Sequence, residues 1–187
     1  MRLFVALVPP DEAVEDLDAF LEVRRAAAPF RWALREQLHL TLAFLGDVEE
    51  RRLDELLERL GRAAGRRTAF GVTVAGGGAF PHAARAKVLW AGVEASDRVE
   101  LARLATGARA AAAKSGIAVD GARFRPHVTL ARLGVPAEVS NWVRLLDSYR
   151  GPTWGASAIT LVESHLGQGP RGRPRYDVVA ELPLRSM

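Results

Sequence analysis

Two tetrapeptides of one pattern, His39-Leu-Thr-Leu and His127-Val-Thr-Leu, stand 88 residues apart (127 − 39) in a chain of 187. Each falls in a short run of Leu, Val and Thr that predicts a β-strand, at 38–45 and 127–132. Further strands are expected at 2–8, 69–76, 86–94, 155–163 and 175–182. Between them run helical stripes: Val14, Leu17 and Leu21; Leu53, Leu56, Leu57 and Leu60; Leu101, Leu104, Ala105 and Ala108; Val139, Trp142, Val143 and Leu146. The order reads β-α-β-α-β over 2–76 and again over 86–163, with one strand left at the end. The first strands of the two runs start 84 residues apart (86 − 2), so an internal duplication is the economical reading. The expected fold is α/β, of the α+β kind. It is one bilobal domain over residues 1–187, its repeats related by a pseudo-twofold axis, with a central cleft.

Side chains two apart on a strand share a face. His39 and Thr41 therefore project together, with Leu38, Leu40 and Leu42 on the other side, and His127 and Thr129 repeat the arrangement against Val128 and Leu130. A single His-x-Thr strand recurs by accident. Two copies on equivalent elements, using two of only four histidines, are hard to explain by packing alone.

Imidazole titrates near neutrality, so one histidine can serve as base while the other serves as acid. Hydrolysis of a phosphodiester needs that pair on opposite sides of one phosphorus. The threonine hydroxyls would donate to the non-bridging phosphate oxygens, where charge must be stabilised.

Other chemistries find less support. The chain has no cysteine, which removes disulfides, thiolate metal sites and a Cys nucleophile, and suits a reducing cytoplasm. No run is long enough to cross a bilayer as a helix, and none reads as a signal peptide. His-Glu-x-x-His, Gly-x-Ser-x-Gly and Walker patterns are missing, and Asp47 and Asp120, the carboxylates nearest the motifs, read as turn residues. Neither a metal nor a cofactor is expected. Gly167-Gln-Gly-Pro-Arg-Gly172 matches Gly-x-Gly-x-x-Gly, but prolines flank its second half and a strand follows, so a hairpin loop is expected.

The net charge of +4 permits an anionic partner, and nearly all the positive charge is arginine. Arg132 lies five residues beyond His127. On a regular strand it points away from the histidine, so it reaches the cleft only where the strand ends or bulges. His82 and His165 read as loop or strand-end residues, while Phe44, Trp32 and Trp154 are each open to a core or a base-stacking role. The oligomeric state stays open, with a monomer as the default.

Arg2-Leu-Phe-Val-Ala6, His39-Leu-Thr-Leu-Ala-Phe-Leu-Gly46, Gly77-Gly-Ala-Phe-Pro81, Val88-Leu-Trp-Ala-Gly92, Phe124-Arg-Pro-His-Val-Thr-Leu-Ala-Arg132 and Tyr176-Asp-Val-Val-Ala180 resemble the RNA 2′,3′-cyclic phosphodiesterases. That family belongs to the two-histidine (2H, LigT-like) phosphoesterases and was formerly described as 2′-5′ RNA ligases. The resemblance implies metal-independent hydrolysis of a terminal 2′,3′-cyclic phosphate on RNA to a 2′-phosphomonoester. It implies His39 as proton donor, His127 as proton acceptor, and Thr41, Thr129 and Arg132 as phosphate-binding groups. The alternatives are 2′-5′ ligation, another cyclic-nucleotide phosphodiesterase activity, or a module that binds RNA ends without turning them over.

Overall fold

Nine strands pair into one sheet in the order β7-β4-β5-β6-β3-β1-β8-β9, with the two-residue β2 added beside β6. The computed structural model describes residues 1–187. In chain order the elements are β1 (Arg2–Leu7), α1 (Asp11–Arg25), β2 (Arg31–Trp32), β3 (Leu40–Asp47), α2 (Leu53–Gly65), β4 (Phe70–Phe80) and β5 (Ala86–Ala95). There follow α3 (Arg98–Lys114), β6 (His127–Ala137), α4 (Ser140–Leu146), β7 (Trp154–Ala156), β8 (Ala158–His165) and β9 (Arg175–Pro183). Every pair of named strands is antiparallel.

The motif strands β3 and β6 are neighbours at the centre, joined through Leu40 and Val128. To one side lie β1, β8 and β9, and to the other β5, β4 and β7. The two halves of the sequence therefore trade strands. β4, from the first half, pairs with β5, and β8, from the second, pairs with β1. The helices trade places too: Leu17 and Leu21 of α1 pack with Val128 and Leu130, while Leu101 and Leu104 of α3 pack with Leu40 and Leu42. Only Ser157 separates β7 from β8, although they lie near opposite ends of the sheet order, so the sheet curls until these regions meet.

The stripes seen in the sequence form the core. Leu56, Leu60, Leu101, Leu104, Leu17, Leu21 and Leu146 are all buried, and each such side chain contributes roughly 1.5–3 kcal/mol on leaving water. Acidic Asp11 and Glu12 in the first turn of α1, with Arg24 and Arg25 in its last, complement the helix dipole. Asp97 caps α3 by accepting from the Glu100 amide at 3.0 Å. Leu40 and Val128, paired and fully buried, face the helices. The opposite face of the central strands is left free of helices.

Two strand expectations change. The strand expected at 69–76 runs on to Phe80 by pairing Gly77–Phe80 with β5, and glycine is required there because Leu146 and Trp90 press so closely on Gly77 and Gly78 that a Cβ at either would collide with them. The run 155–163 is two strands, β7 and β8, with different partners. The Gly167–Gly172 stretch lies in the loop of the β8–β9 hairpin, as expected. No helix is long and apolar enough to cross a membrane.

Candidate active site

The motif strands run antiparallel through Leu40 and Val128. Leu40–Val128 is the one pair that joins these strands, and counting one residue to either side of it puts His39 across from Thr129 and Thr41 across from His127. Four side chains thus form a square on the helix-free face, with the imidazoles at one diagonal. Diagonal neighbours across such a pair have Cα atoms about 7–8 Å apart, room for one phosphorus between two rings.

The local hydrogen bonds repeat as well. His39 Nδ1 lies 2.7 Å from the Gln37 carbonyl oxygen, and His127 Nδ1 lies 2.6 Å from that of Arg125. A carbonyl only accepts, so each Nδ1 carries the proton and each Nε2 is the atom left for chemistry. His39 Nε2 sits 2.9 Å from Thr41 Oγ1, whose hydroxyl donates to the neutral ring.

Each imidazole is also wedged by aromatic rings that the sequence reading did not single out. Phe4 stacks on His39 at 4.7 Å and Tyr176 meets it edge-on at 5.7 Å. Phe80 meets His127 edge-on at 4.9 Å, with Trp90 at 5.9 Å. The alternation in β1 carried a signal for Phe4, since Leu3, Val5 and Leu7 form the buried helix-side row and Phe4 must point the other way. A hollow of about 410 Å³ opens beside His127, lined by Phe80, Trp90, Arg123, Phe124, Arg125 and Pro126. A larger hollow, about 820 Å³, lies between α2 and α3 and touches none of the motif residues.

The eight residues from each histidine onward, His-Leu-Thr-Leu-Ala-Phe-Leu-Gly46 and His-Val-Thr-Leu-Ala-Arg-Leu-Gly134, differ only at Leu40/Val128 and Phe44/Arg132. Both strands bulge at the leucine after the threonine. The pairing of β1 with β3 steps from Thr41 to Ala43 across Leu42, and that of β5 with β6 steps from Thr129 to Ala131 across Leu130. An extra residue reverses the alternation beyond it. Leu130 and Ala131 are consequently both buried while Arg132 is exposed on the histidine face, and Leu42, Ala43 and Phe44 follow suit. The bulge that would bring Arg132 to the cleft is present.

Burial pushes both imidazoles below the usual histidine range. The carbonyls of Gln37 and Arg125 act in the opposite sense, and the Arg132 charge adds to the depression of both rings. His127 also depresses His39, so the rings and Arg132 share one field. Burial raises Tyr176, against the pull of Arg132.

Of the remaining candidates, Phe44 is 56 % exposed, whereas Trp32 is buried and Trp154 packs against the core. His82 is exposed; His165, at the end of β8, is held by Asp177 at 3.0 Å. Asp47 and Asp120 are local ties, to the N-terminal ammonium and the Ala122 amide.

A family model for LigT like Phosphoesterase matches residues 7–90 and 93–171. An RNA 2′,3′-cyclic phosphodiesterase of Thermus thermophilus is 34 % identical over 191 aligned positions, covering 99 % of this chain and 91 % of the relative. One from Geobacillus stearothermophilus is 32 % identical over 184 positions and 97 % of this chain, which spans only 56 % of that longer relative. The structure of Escherichia coli LigT in apo form superposes with a TM-score of 0.78 at 28 % identity, covering 98 % of this chain and 97 % of that one. With the matched model spanning both motif strands, the chain belongs to the LigT-like phosphoesterase family and is a phosphodiesterase.

Proposed function

We propose that the chain, acting as a single domain over residues 1–187, hydrolyses a terminal 2′,3′-cyclic phosphate on RNA to a 2′-phosphomonoester without a metal. The observation that carries this reading is the square of His39, Thr129, Thr41 and His127, with both Nδ1 atoms held by carbonyls, His127 Nε2 free and His39 Nε2 bonded only to the Thr41 hydroxyl of the same square. Similarity to enzymes named RNA 2′,3′-cyclic phosphodiesterase supports the substrate class.

In this reading His127 Nε2 takes a proton from water as the water oxygen bonds to phosphorus. The bond from phosphorus to the 3′ oxygen breaks, and that oxygen takes a proton from His39 Nε2. Thr41 and Thr129 donate to the non-bridging oxygens, and Arg132 neutralises the charge gathered there. His39 must begin protonated, although burial disfavours that form. An anionic phosphodiester beside the ring offsets the burial, so the acid is charged by the arrival of its own substrate.

The test is turnover of RNA ending in a 2′,3′-cyclic phosphate in excess EDTA, with the product isomer identified. The expected product is the 2′-phosphate, at a rate the chelator does not change. A 3′-phosphate, a strict metal requirement, or binding without turnover would contradict the reading.

A further inference from the structure

The Gly167–Gly172 loop, which failed as a nucleotide-binding pattern, folds back onto the segment preceding the first motif. Arg173 Nε donates to the Trp32 carbonyl at 2.8 Å, and Gln37 Nε2 donates to the Pro174 carbonyl at 2.5 Å. Gln37 is the residue whose own carbonyl holds His39, so the loop is tied to the catalytic strand at one remove. Arg171 and Gly172 both adopt left-handed backbone, φ 56° and 73°, and the turn places the Arg31 guanidinium 3.5 Å from the Arg171 carbonyl oxygen.

Arg31 in turn lies directly across the sheet from Arg132. Opposed residues of an antiparallel pair point to one face, and Trp32 alternates correctly into the core behind. Arg132, Arg31, Arg171 and Arg173 therefore gather along one rim of the cleft. Burial disfavours the charge on Arg173, and the fields of Arg31 and Arg171 add to that. None of the four has a carboxylate partner, whereas Arg25, Arg35, Arg150 and Arg175 elsewhere do. Like charges set opposite one another across strands repel. Such a row is relieved by an anion laid along it.

We propose that Arg31 and Arg171 receive the phosphodiester one nucleotide upstream of the cyclic end, so that an oligoribonucleotide is bound more tightly than a cyclic mononucleotide. This rests on the reaction proposed above. Arg132 holds the phosphate that reacts; the neighbouring guanidiniums hold the next one, and set which way the strand leaves the cleft. Arg173 is tied to Trp32 and shapes the loop.

The test compares wild type with the double variant Arg31→Gln/Arg171→Asn, asparagine being chosen because it tolerates left-handed backbone. Both are assayed on a 2′,3′-cyclic mononucleotide and on a short RNA ending in the same group. The KM for the RNA is expected to rise about tenfold as charge-assisted contacts to one phosphate are lost. The slope of log kcat/KM against log salt should flatten by about 0.7 for each phosphate contact removed. The mononucleotide, which has no upstream phosphate, should be turned over as by wild type. Equal losses on both substrates, or no loss on the RNA, would overturn the proposal. If wild type turned over neither substrate, the reaction itself would be wrong. The arginines would then be judged by fluorescence anisotropy with a 5′-labelled RNA ending in a 2′-phosphate, where weaker binding by the double variant supports them and equal binding overturns them.

Discussion

Arg132 and Phe44 occupy equivalent places in the two motif strands, each three residues beyond its threonine and each turned to the histidine face by a bulge at the intervening leucine. The eight-residue repeat is otherwise nearly identical, so this exchange is where the cleft stops being symmetric: one side offers a guanidinium, the other an exposed ring. Arg132→Ala is expected to lower kcat by about 10²–10³-fold, the range for removing one donor to developing charge. Arg132→Lys should recover only part of it, because a point charge does not replace a planar fork. Arg132 is exposed, and neither variant should shift the melting temperature appreciably.

Phe44→Ala should act on binding instead. A ring 56 % exposed beside the site has little packing to lose, while base–aromatic stacking is worth about 1–3 kcal/mol. KM for a cyclic-ended RNA should rise with kcat nearly unchanged. A fall in kcat at constant KM would place Phe44 outside substrate binding.

His39→Ala and His127→Ala should each reduce kcat by about 10²–10⁴-fold, the usual worth of one acid–base group. Circular dichroism and melting curves should show both variants folded, since the square is carried by strands whose burial lies on the other face. Near-normal activity in either variant would remove that histidine from the chemistry.

The pH dependence follows from the lowered imidazoles. In the proposed reaction His127 is the neutral base, and burial together with Arg132 holds its ring below the ordinary histidine value of 6.5, so the acid limb of kcat/KM should lie below pH 6.5. Arg132→Gln removes one cause of the lowering and should move that limb upward. Bound phosphate favours protonated His39, so the alkaline limb should lie higher in kcat than in kcat/KM. Stability carries the same sign. Below pH 6.5 the unfolded chain takes up protons that the folded histidines resist, so unfolding free energy should fall as pH drops from 6.5 toward the depressed values. Urea unfolding of His39→Gln should show a weaker dependence over that window.

Much of the site was legible because the direction of a side chain on a strand is a local property. His39 with Thr41, and His127 with Thr129, needed only the two-residue period, and the buried row of Leu38, Leu40 and Leu42 came with it. The face taken by Arg132 was not legible, because a bulge belongs to the pairing of two strands and β5 decides it. The trading of β4 and β8 between halves is likewise a long-range choice, which the repeat in the sequence does not reveal. The place of Tyr176 against His39 was not legible either, because it reaches the ring from β9, two strands beyond β1 in the sheet.

The account turns on a single in-line displacement at phosphorus, with one imidazole on the side of attack and the other on the side of departure. The stereochemical course measures that directly, using one diastereomer of a 2′,3′-cyclic phosphorothioate hydrolysed in ¹⁸O-labelled water with excess EDTA. Inversion at phosphorus is the predicted result. Retention, the mark of two successive displacements through a phosphorylated side chain, would contradict it.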